Sequence, residues 1–426
     1  MSSDTRPPVA LPTHQLRVGM TLPFTLQDED GQVLLAKGLR IENEKQLELL
    51  RQRKRVFVPF EESELAVKVL MTGLLELDRR GAALKDLDRY VTLDESGPGA
   101  GEPLRGSMPE QCAEVAARLR RLLVALAQRA LAPPDAAVRL EQLWRDLQQW
   151  AAARVAQEAA TLVLTYRACS SPAEYSVLHA LQCAVLAQRV APLLALPAGE
   201  VRPLVLACAT MNVAMVQLQD ALAQQTQPVS PAQRAQIDAH AAESERLLRA
   251  AGVTDEAWLQ AVRWHHARPP ASVLSALPTG WRLASIVQAL DRYTAAMSPR
   301  ASRPGRSAKD AARTVLARNV LGAQDPVGLA LVQLLGLYPP GTFVRLQAGE
   351  LALVLRPGQK AATPVAAVVV NRMGEPLGAP KLVDCARPEY VVAEAVPGSA
   401  VKARIDLEEM VQRLAYSRAP GSGLLQ

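Results

Sequence analysis

The strongest constraint on this chain is a long run of helical patterning through its middle. Residues 110–167 are almost continuously helical in composition, with Pro133 and Pro134 as one break. Leu140, Leu143, Leu147, Ala151 and Val155 recur three or four apart, which places them on one apolar face. Further helices are expected over 173–196, 203–222, 231–251, 255–266 and 281–297. Their ends carry recognisable signals. Ser230 before Pro231 is an N-cap with a first-turn proline, and Gly252 closes the helix that follows. Thr254 is expected to cap the next helix, with Asp255 and Glu256 as acids in its first turn.

The flanks read differently. Residues 298–307 form a polar break, and helices are expected again over 308–317 and 325–335. Residues 342–346, 351–355 and 365–370 are short β-patterned pieces separated by Gly, Pro and Asn. At the other end, 22–26 and 32–35 read as extended segments around a turn at 28–31. A helix over 42–53 follows with Leu47, Leu49 and Leu50 apolar, then a strand at 56–58 and a helical stretch over 61–86. Residues 96–109, rich in Gly, Pro and Ser, form the linker candidate. The expected fold is mainly α: a helical domain with a small β-rich tail, preceded by a small α+β N-terminal domain. The expected divisions are 1–98 for the N-terminal domain, 99–109 for the linker and 110–170 for a helical segment linking to or packing on the core. The helical domain proper is expected over 171–336, and a β-rich extension over 337–415.

Composition removes several function classes. Apolar residues reach 49%, which rules against widespread disorder, and Ala and Leu favour helices over a wholly β architecture. The 48 Lys and Arg against 42 Asp and Glu leave only +6, too little to argue for a nucleic-acid polymer as partner. The five cysteines form no CxxC pair and are odd in number, so a disulfide framework or zinc knuckle is not expected and a reducing, cytoplasmic setting fits. The opening residues hold no apolar stretch of signal-peptide length. The uncharged run 203–219 carries Thr210, Asn212 and two glutamines, and reads as a buried helix rather than a membrane span. No GxGxxG, Walker or GxSxG pattern occurs.

Five histidines are present: His14, His179, His240, His265 and His266. Four fall in the helical region together with Asp291, a carboxylate in an otherwise mostly apolar pattern. Histidine is a common ligand for divalent metals, but the spacing is long, and His265 and His266 diverge by about 100° if both are helical. Residue types alone favour hydrogen-bonded core or surface histidines over a metal site. Asp291 needs a partner if buried, and a metal or a salt bridge would serve equally. Asn212, in its uncharged stretch, must also find hydrogen bonds, by orienting a histidine or satisfying a neighbouring helix.

The order of these residues resembles the HD-GYP family, best known as bacterial phosphodiesterases of cyclic di-GMP whose helical domain holds two or three metal ions. Tyr175-Ser176-Val177-Leu178-His179 resembles the first metal-ligand segment. Ile237-Asp238-Ala239-His240 resembles a His-Pro segment, with Ala241 in place of proline. Trp264-His265-His266 resembles the double histidine, with Ala267 in place of glutamate. Residues 282–298 resemble the helix of the last metal aspartate, here Asp291. Gly336-Leu337-Tyr338-Pro339-Pro340-Gly341-Thr342, followed by Val344, Leu346 and Gly349-Glu350, resembles the segment after the catalytic core. The likeness spans roughly 155–386 and implies that the helical domain is of HD type. Leu16-Arg17-Val18-Gly19-Met20 with Gly31, Leu34-Leu35 and Lys37-Gly38 looks like the small domain that often precedes such domains.

The departures fall on the chemistry. Asn212 and Val213 occupy the positions of the signature His-Asp pair, Val216 that of the following lysine, and the glycine-free stretch 267–279 lacks the GYP element. A bridging aspartate supplies negative charge between two cations and helps hold the attacking hydroxide, which Val213 cannot do. Asn212 offers only a carbonyl oxygen, a weak ligand for a borderline metal. The resemblance therefore implies no catalytic residues. It leaves either no cofactor or one iron, manganese or other divalent ion at His179, His240, His265, His266 and Asp291. Arg263, Arg268 and Arg282 are candidates for phosphate contacts, or solvated surface arginines. The implied function is a non-catalytic, HD-GYP-like signalling or regulatory module that binds a protein partner, such as a diguanylate cyclase, or cyclic di-GMP. The alternative is a metal-dependent phosphodiesterase with an altered site acting on cyclic di-GMP or another phosphoester. A third reading is a helical scaffold whose histidines serve packing.

Overall fold

The computed structural model describes residues 9–11, 25–28, 31–36, 41, 43–52, 56–58, 104–271, 273–303, 305, 310 and 325–417. The expected helices over 61–86 and 308–317, His14, and the motif residues at 16–20 and 37–38 lie outside them or nearly so. The chain divides into two compact units, Met1–Gly99 and Ala100–Gln426.

In the first unit, β1 (Val9–Leu11), β2 (Leu26–Gln27), β3 (Val33–Leu35) and β4 (Val56–Val58) form an antiparallel sheet in the order β1-β4-β2-β3. The turn between β2 and β3 closes through Gly31 N to Asp28 O at 3.1 Å, and Gly31 takes a φ of 78° that suits glycine. Helix α1 (Glu44–Arg51) is capped by Asn43, whose side chain accepts from Gln46 N at 2.9 Å. Leu47 and Leu50 face inward with Leu26, Ile41, Val56 and Val58, whereas Leu49 faces out.

The second unit is mainly helical. Its first three helices are α2 (Met108–Ala127), α3 (Pro133–Ala151) and α4 (Arg154–Ser170). Pro133 and Pro134 sit at the start of α3, where a missing N–H costs nothing. The apolar face of α3 consists of Leu140, Leu143, Leu147 and Trp150. Val155 does not continue it. The helix ends at Ala151, Ala153 is extended, and Val155 belongs to α4, where it is exposed. Three consecutive alanines hide this break from a reading of the sequence.

Between α2 and α3 lies a buried ion pair. Arg118 Nη1 donates to both carboxylate oxygens of Asp146 at 3.0 Å, and Gln142 donates to the same carboxylate at 2.7 Å.

Helix α5 (Tyr175–Val190) is the centre of the unit, because every one of its residues is buried. Against it pack α6 (Ala198–Thr210), α7 (Val216–Gln224) and α10, which spans Thr279–Met297; α8 (Pro231–Ala250) and α9 (Glu256–Trp264) lie outside these, with α9 packed on α6, α8 and α10. The single helix expected over 203–222 is two helices joined by a 3-10 turn at Val213–Met215. That turn is held from outside its own sequence: Ala214 N donates to Ser244 Oγ on α8 at 3.1 Å. Ala198–Gln224 is long and apolar enough to cross a membrane, but it is broken at this turn, and two thirds of its most apolar window packs inside the unit.

Ser230 caps α8, accepting from Gln233 N at 3.2 Å, with Pro231 in the first turn. Gly252, at φ 88°, closes that helix, and Val253 N returns to Leu248 O at 3.0 Å. The cap of α9 is Asp255 rather than Thr254: its carboxylate accepts from Trp258 N at 3.1 Å. The aspartate gains from the helix dipole as well as from the hydrogen bond.

After α11 (Pro326–Leu335), capped by Asp325, the chain forms a five-stranded antiparallel sheet. Its strands are β5 (Phe343–Leu346), β6 (Leu351–Arg356), β7 (Val365–Val370), β8 (Pro376–Asp384) and β9 (Val392–Val396), in the order β8-β7-β6-β5-β9. One face, with Phe343, Leu353, Leu355, Ala367 and Val369, joins the helical core. The other buries Val344, Val354, Ala366 and Val368 in a small core of its own. The last described element is a helix, α12 (Leu407–Tyr416), capped by Asp406, so the C-terminal extension carries a helix beside its strands. Gly341 sets the sheet against α4. A Cβ there would lie 2.4 Å from Leu162 O and 2.6 Å from Tyr166 N, and its φ is 87°.

Replacing Asp146 by alanine would leave the largely buried Arg118 guanidinium with Glu114 alone, which accepts from its Nε at 2.8 Å, and would orphan the Gln142 amide, a loss on the order of 2–3 kcal/mol. Urea unfolding of D146A should show that drop at an unchanged slope. A change under 1 kcal/mol (roughly the worth of an exposed pair) would contradict the pairing.

Candidate metal centre

Three of the five histidines converge. The ligand-type nitrogens of His240, His265 and His266 all lie within 4.8 Å of one another. His240 comes from α8 and is buried. His265 is the C-cap of α9, and His266 follows in the turn. Because α9 stops at Trp264, the two adjacent histidines are not held 100° apart as they would be inside a helix. Their ring centroids are 4.1 Å apart, and those of His240 and His266 are 5.0 Å apart. His265 is fully buried, whereas His266 reaches the surface.

The hydrogen bonds fix two of the three tautomers. His240 Nδ1 meets Ile237 O at 2.5 Å, and His265 Nδ1 meets Val262 O at 2.6 Å. A carbonyl only accepts, so both Nδ1 atoms carry the proton. This leaves the Nε2 lone pairs of His240 and His265 facing each other at 3.2 Å. Two lone pairs at that distance repel unless a proton or a cation lies between them. A shared proton is disfavoured: burial and the neighbouring His266 push His265 down to about 3, and burial also lowers His240. A metal ion between them would resolve the arrangement. Two nitrogens each about 2.05 Å from a tetrahedral ion lie about 3.3 Å apart, and a backbone carbonyl on Nδ1 is the usual outer partner of a ligating histidine. The donor set therefore fits a divalent cation.

His179 and Asp291 form a second, adjoining pair. His179 Nε2 lies 2.9 Å from Asp291 Oδ1, and its Nδ1 lies 3.1 Å from Thr294 Oγ1. The Thr294 hydroxyl is placed to donate to Leu290 O at 2.9 Å, which leaves its lone pair to accept from His179 Nδ1. Both His179 nitrogens are thus engaged. Burial opposes a charge on His179, but Cys183 and the Asp291 carboxylate outweigh it and push its pKa up. Burial likewise opposes the charge on Asp291, and His179 overcomes that, holding the carboxyl well below the usual range. The Asp291 side chain is 15% exposed, and its charge also acts on His240 and His265. Tyr175 stacks on the His179 ring, with centroids 5.5 Å apart.

Asn212 precedes the 3-10 turn that is bound to α8 one helical turn beyond His240. It is 8% exposed, and its Oδ1 is buried without a partner. Val213 is fully buried among apolar residues. The three arginines are not gathered. Arg282 is held by Glu200 at 2.9 Å through Nε and by Leu277 O at 3.0 Å. Arg263 is exposed and pairs with Glu245 at 3.7 Å, and Arg268 is exposed.

Sequence reading missed Thr294 and Cys183, which lies 3.2 Å from Thr294 Oγ1. A helical signal was available for both: Cys183 lies four residues after His179, and Thr294 three after Asp291, hence on the same faces. With Asp291 replaced by alanine, His179 stays buried without its counter-charge. D291A should lose on the order of 3 kcal/mol in metal-free urea unfolding, and an unchanged midpoint would contradict the pairing.

No family model and no curated protein matches this chain. Among solved structures it is similar to Bd1817, an HDG"Y"P protein from Bdellovibrio bacteriovorus, at 13% identity and a TM-score of 0.41, covering 76% of this chain and 98% of that one. That likeness is too slight to assign a family.

Proposed function

We propose that this chain is a non-catalytic, HD-GYP-like signalling or regulatory module built around a single divalent metal held by His240, His265 and His266. The observation that carries the metal is the pair of unprotonated Nε2 atoms facing each other at 3.2 Å, with both Nδ1 atoms committed to backbone carbonyls. A bound cation would supply Lewis acidity and a fixed positive charge at that point. This chain's own residues orient the two buried imidazoles, and His266 leaves a route from solvent.

Two features support the absence of hydrolysis. Two-metal attack on a phosphoester needs a group that bridges the cations, and the position the resemblance gives to that carboxylate is Val213, buried in the core. Asp291 is tied to His179 rather than placed within the triad. What remains is a site that reports on a ligand or a partner, with cyclic di-GMP or a signalling protein such as a diguanylate cyclase as the expected counterpart.

The test uses the full chain prepared without oxygen and supplied in turn with ferrous iron, manganese and zinc. Elemental analysis should find about one metal per chain, lost in His265→Ala. Cyclic di-GMP should be hydrolysed no faster than by a double variant, His265→Ala with Asp291→Ala. Turnover present in the natural chain and absent from the double variant would restore the phosphodiesterase reading. Calorimetry with cyclic di-GMP separates the two remaining branches: no heat at high ligand concentration leaves the protein partner.

A further inference from the structure

The chemistry of the triad points to more than a generic divalent ion. Among the described residues, the side chains that converge within 4.8 Å are three imidazoles, with no carboxylate and no thiolate among them. Asp291, whose field reaches the triad, is bonded to His179 at 2.9 Å. Asp238, two residues before His240, is exposed and outside the cluster. The inner donors are therefore neutral nitrogens. Two of them are oriented before any metal arrives, by the Ile237 and Val262 carbonyls. Hard cations such as manganese and magnesium gain most from carboxylate, carbonyl and water oxygens, whereas imidazole suits zinc, copper, nickel and iron.

We propose that the His240, His265 and His266 site is a nitrogen-only centre that selects zinc-class borderline cations and discriminates against manganese and magnesium. The proposal rests on the single-metal reading above and adds the identity of the ion. Its physical basis is the missing carboxylate. Replacing a neutral imidazole by an anionic oxygen favours the harder ion, so the ratio of zinc to manganese affinity reports the inner donor set directly.

The experiment is calorimetric titration of the chelator-stripped full chain with zinc, cobalt, manganese and magnesium chlorides, alongside the visible spectrum of the cobalt form. Zinc should bind about a thousandfold more tightly than manganese, and cobalt should give the intense visible bands of a low-coordinate, nitrogen-rich site. In His266→Asp, a change at an exposed position that creates a two-histidine, one-carboxylate set, the zinc-to-manganese ratio should shrink by about tenfold or more. In Asp291→Asn the ratio should stay where it is. A natural chain whose ratio is already as small as that of H266D, or a ratio that rises in D291N, would place a carboxylate in the inner shell and overturn the selectivity while leaving the metal reading intact. No binding of any of the four cations would overturn both.

Discussion

The bond between His179 and Asp291 is the contact on which the middle of the helical unit depends. Helix α5 is buried on every side, and α10 packs against it. A carboxylate in such surroundings must find a counter-charge, because an unpaired buried ion is strongly unfavourable. His179 supplies it, and Thr294, one helical turn beyond Asp291, holds the other side of the imidazole. The register of α10 on α5 is thereby set by a polar contact inside an aliphatic interface that leucine and alanine alone would specify only loosely. Cys183 and Tyr175 complete the surroundings of the ring from the same helix.

The triad depends on where α9 ends. Inside a helix, His265 and His266 would point in different directions. One residue past the last turn, the backbone is free to bring both rings toward His240. Asp255 and Gly252 define the start of α9 and the end of α8, and so place the Trp264 terminus opposite His240. The carbonyls that orient His240 and His265 lie three residues upstream of each, at Ile237 and Val262, so each helix supplies both the ligand-type nitrogen and the group that directs it. Three neutral donors beside a neutralised carboxylate make a centre that would keep most of the charge of a bound cation. That suits recognition of an anion better than it suits generation of a nucleophile between two metals.

Much of the fold was legible in the sequence because its signals are local. Ser230-Pro231, Gly252 and Asp325-Pro326 mark helix ends through groups within a few residues, and the 3.6-residue periodicity of 140–147 marks a buried face. The misreadings fall where the local signal is absent or the deciding contact is distant. The break at 152–153 occurs in an alanine run with no composition signal. The turn at Val213–Met215 is held by Ser244, thirty residues away. Strand β8 carries Pro376, Gly378 and Pro380, which argue against a strand in isolation but are tolerated at the edge of a sheet, where β8 lies. The α12 helix was legible in principle, from Asp406 with Glu408 and Glu409 in its first turn and Arg413 near its end.

The sequence by itself determined that this chain is mainly helical, that a small β region follows, and that the candidate polar side chains include His179, His240, His265, His266, Asp291 and Asn212, with Arg263, Arg268 and Arg282 beside them. These follow from residue type and short-range periodicity. Only the tertiary structure decided how those side chains divide: three histidines in one cluster, His179 and Asp291 in an adjoining pair, and Asn212 at a turn bound to the helix of His240. Which nitrogen carries a proton was likewise decided there, by carbonyls whose direction depends on where each helix stops. Pairing across more than a hundred residues is a property of packing, and no local pattern encodes it.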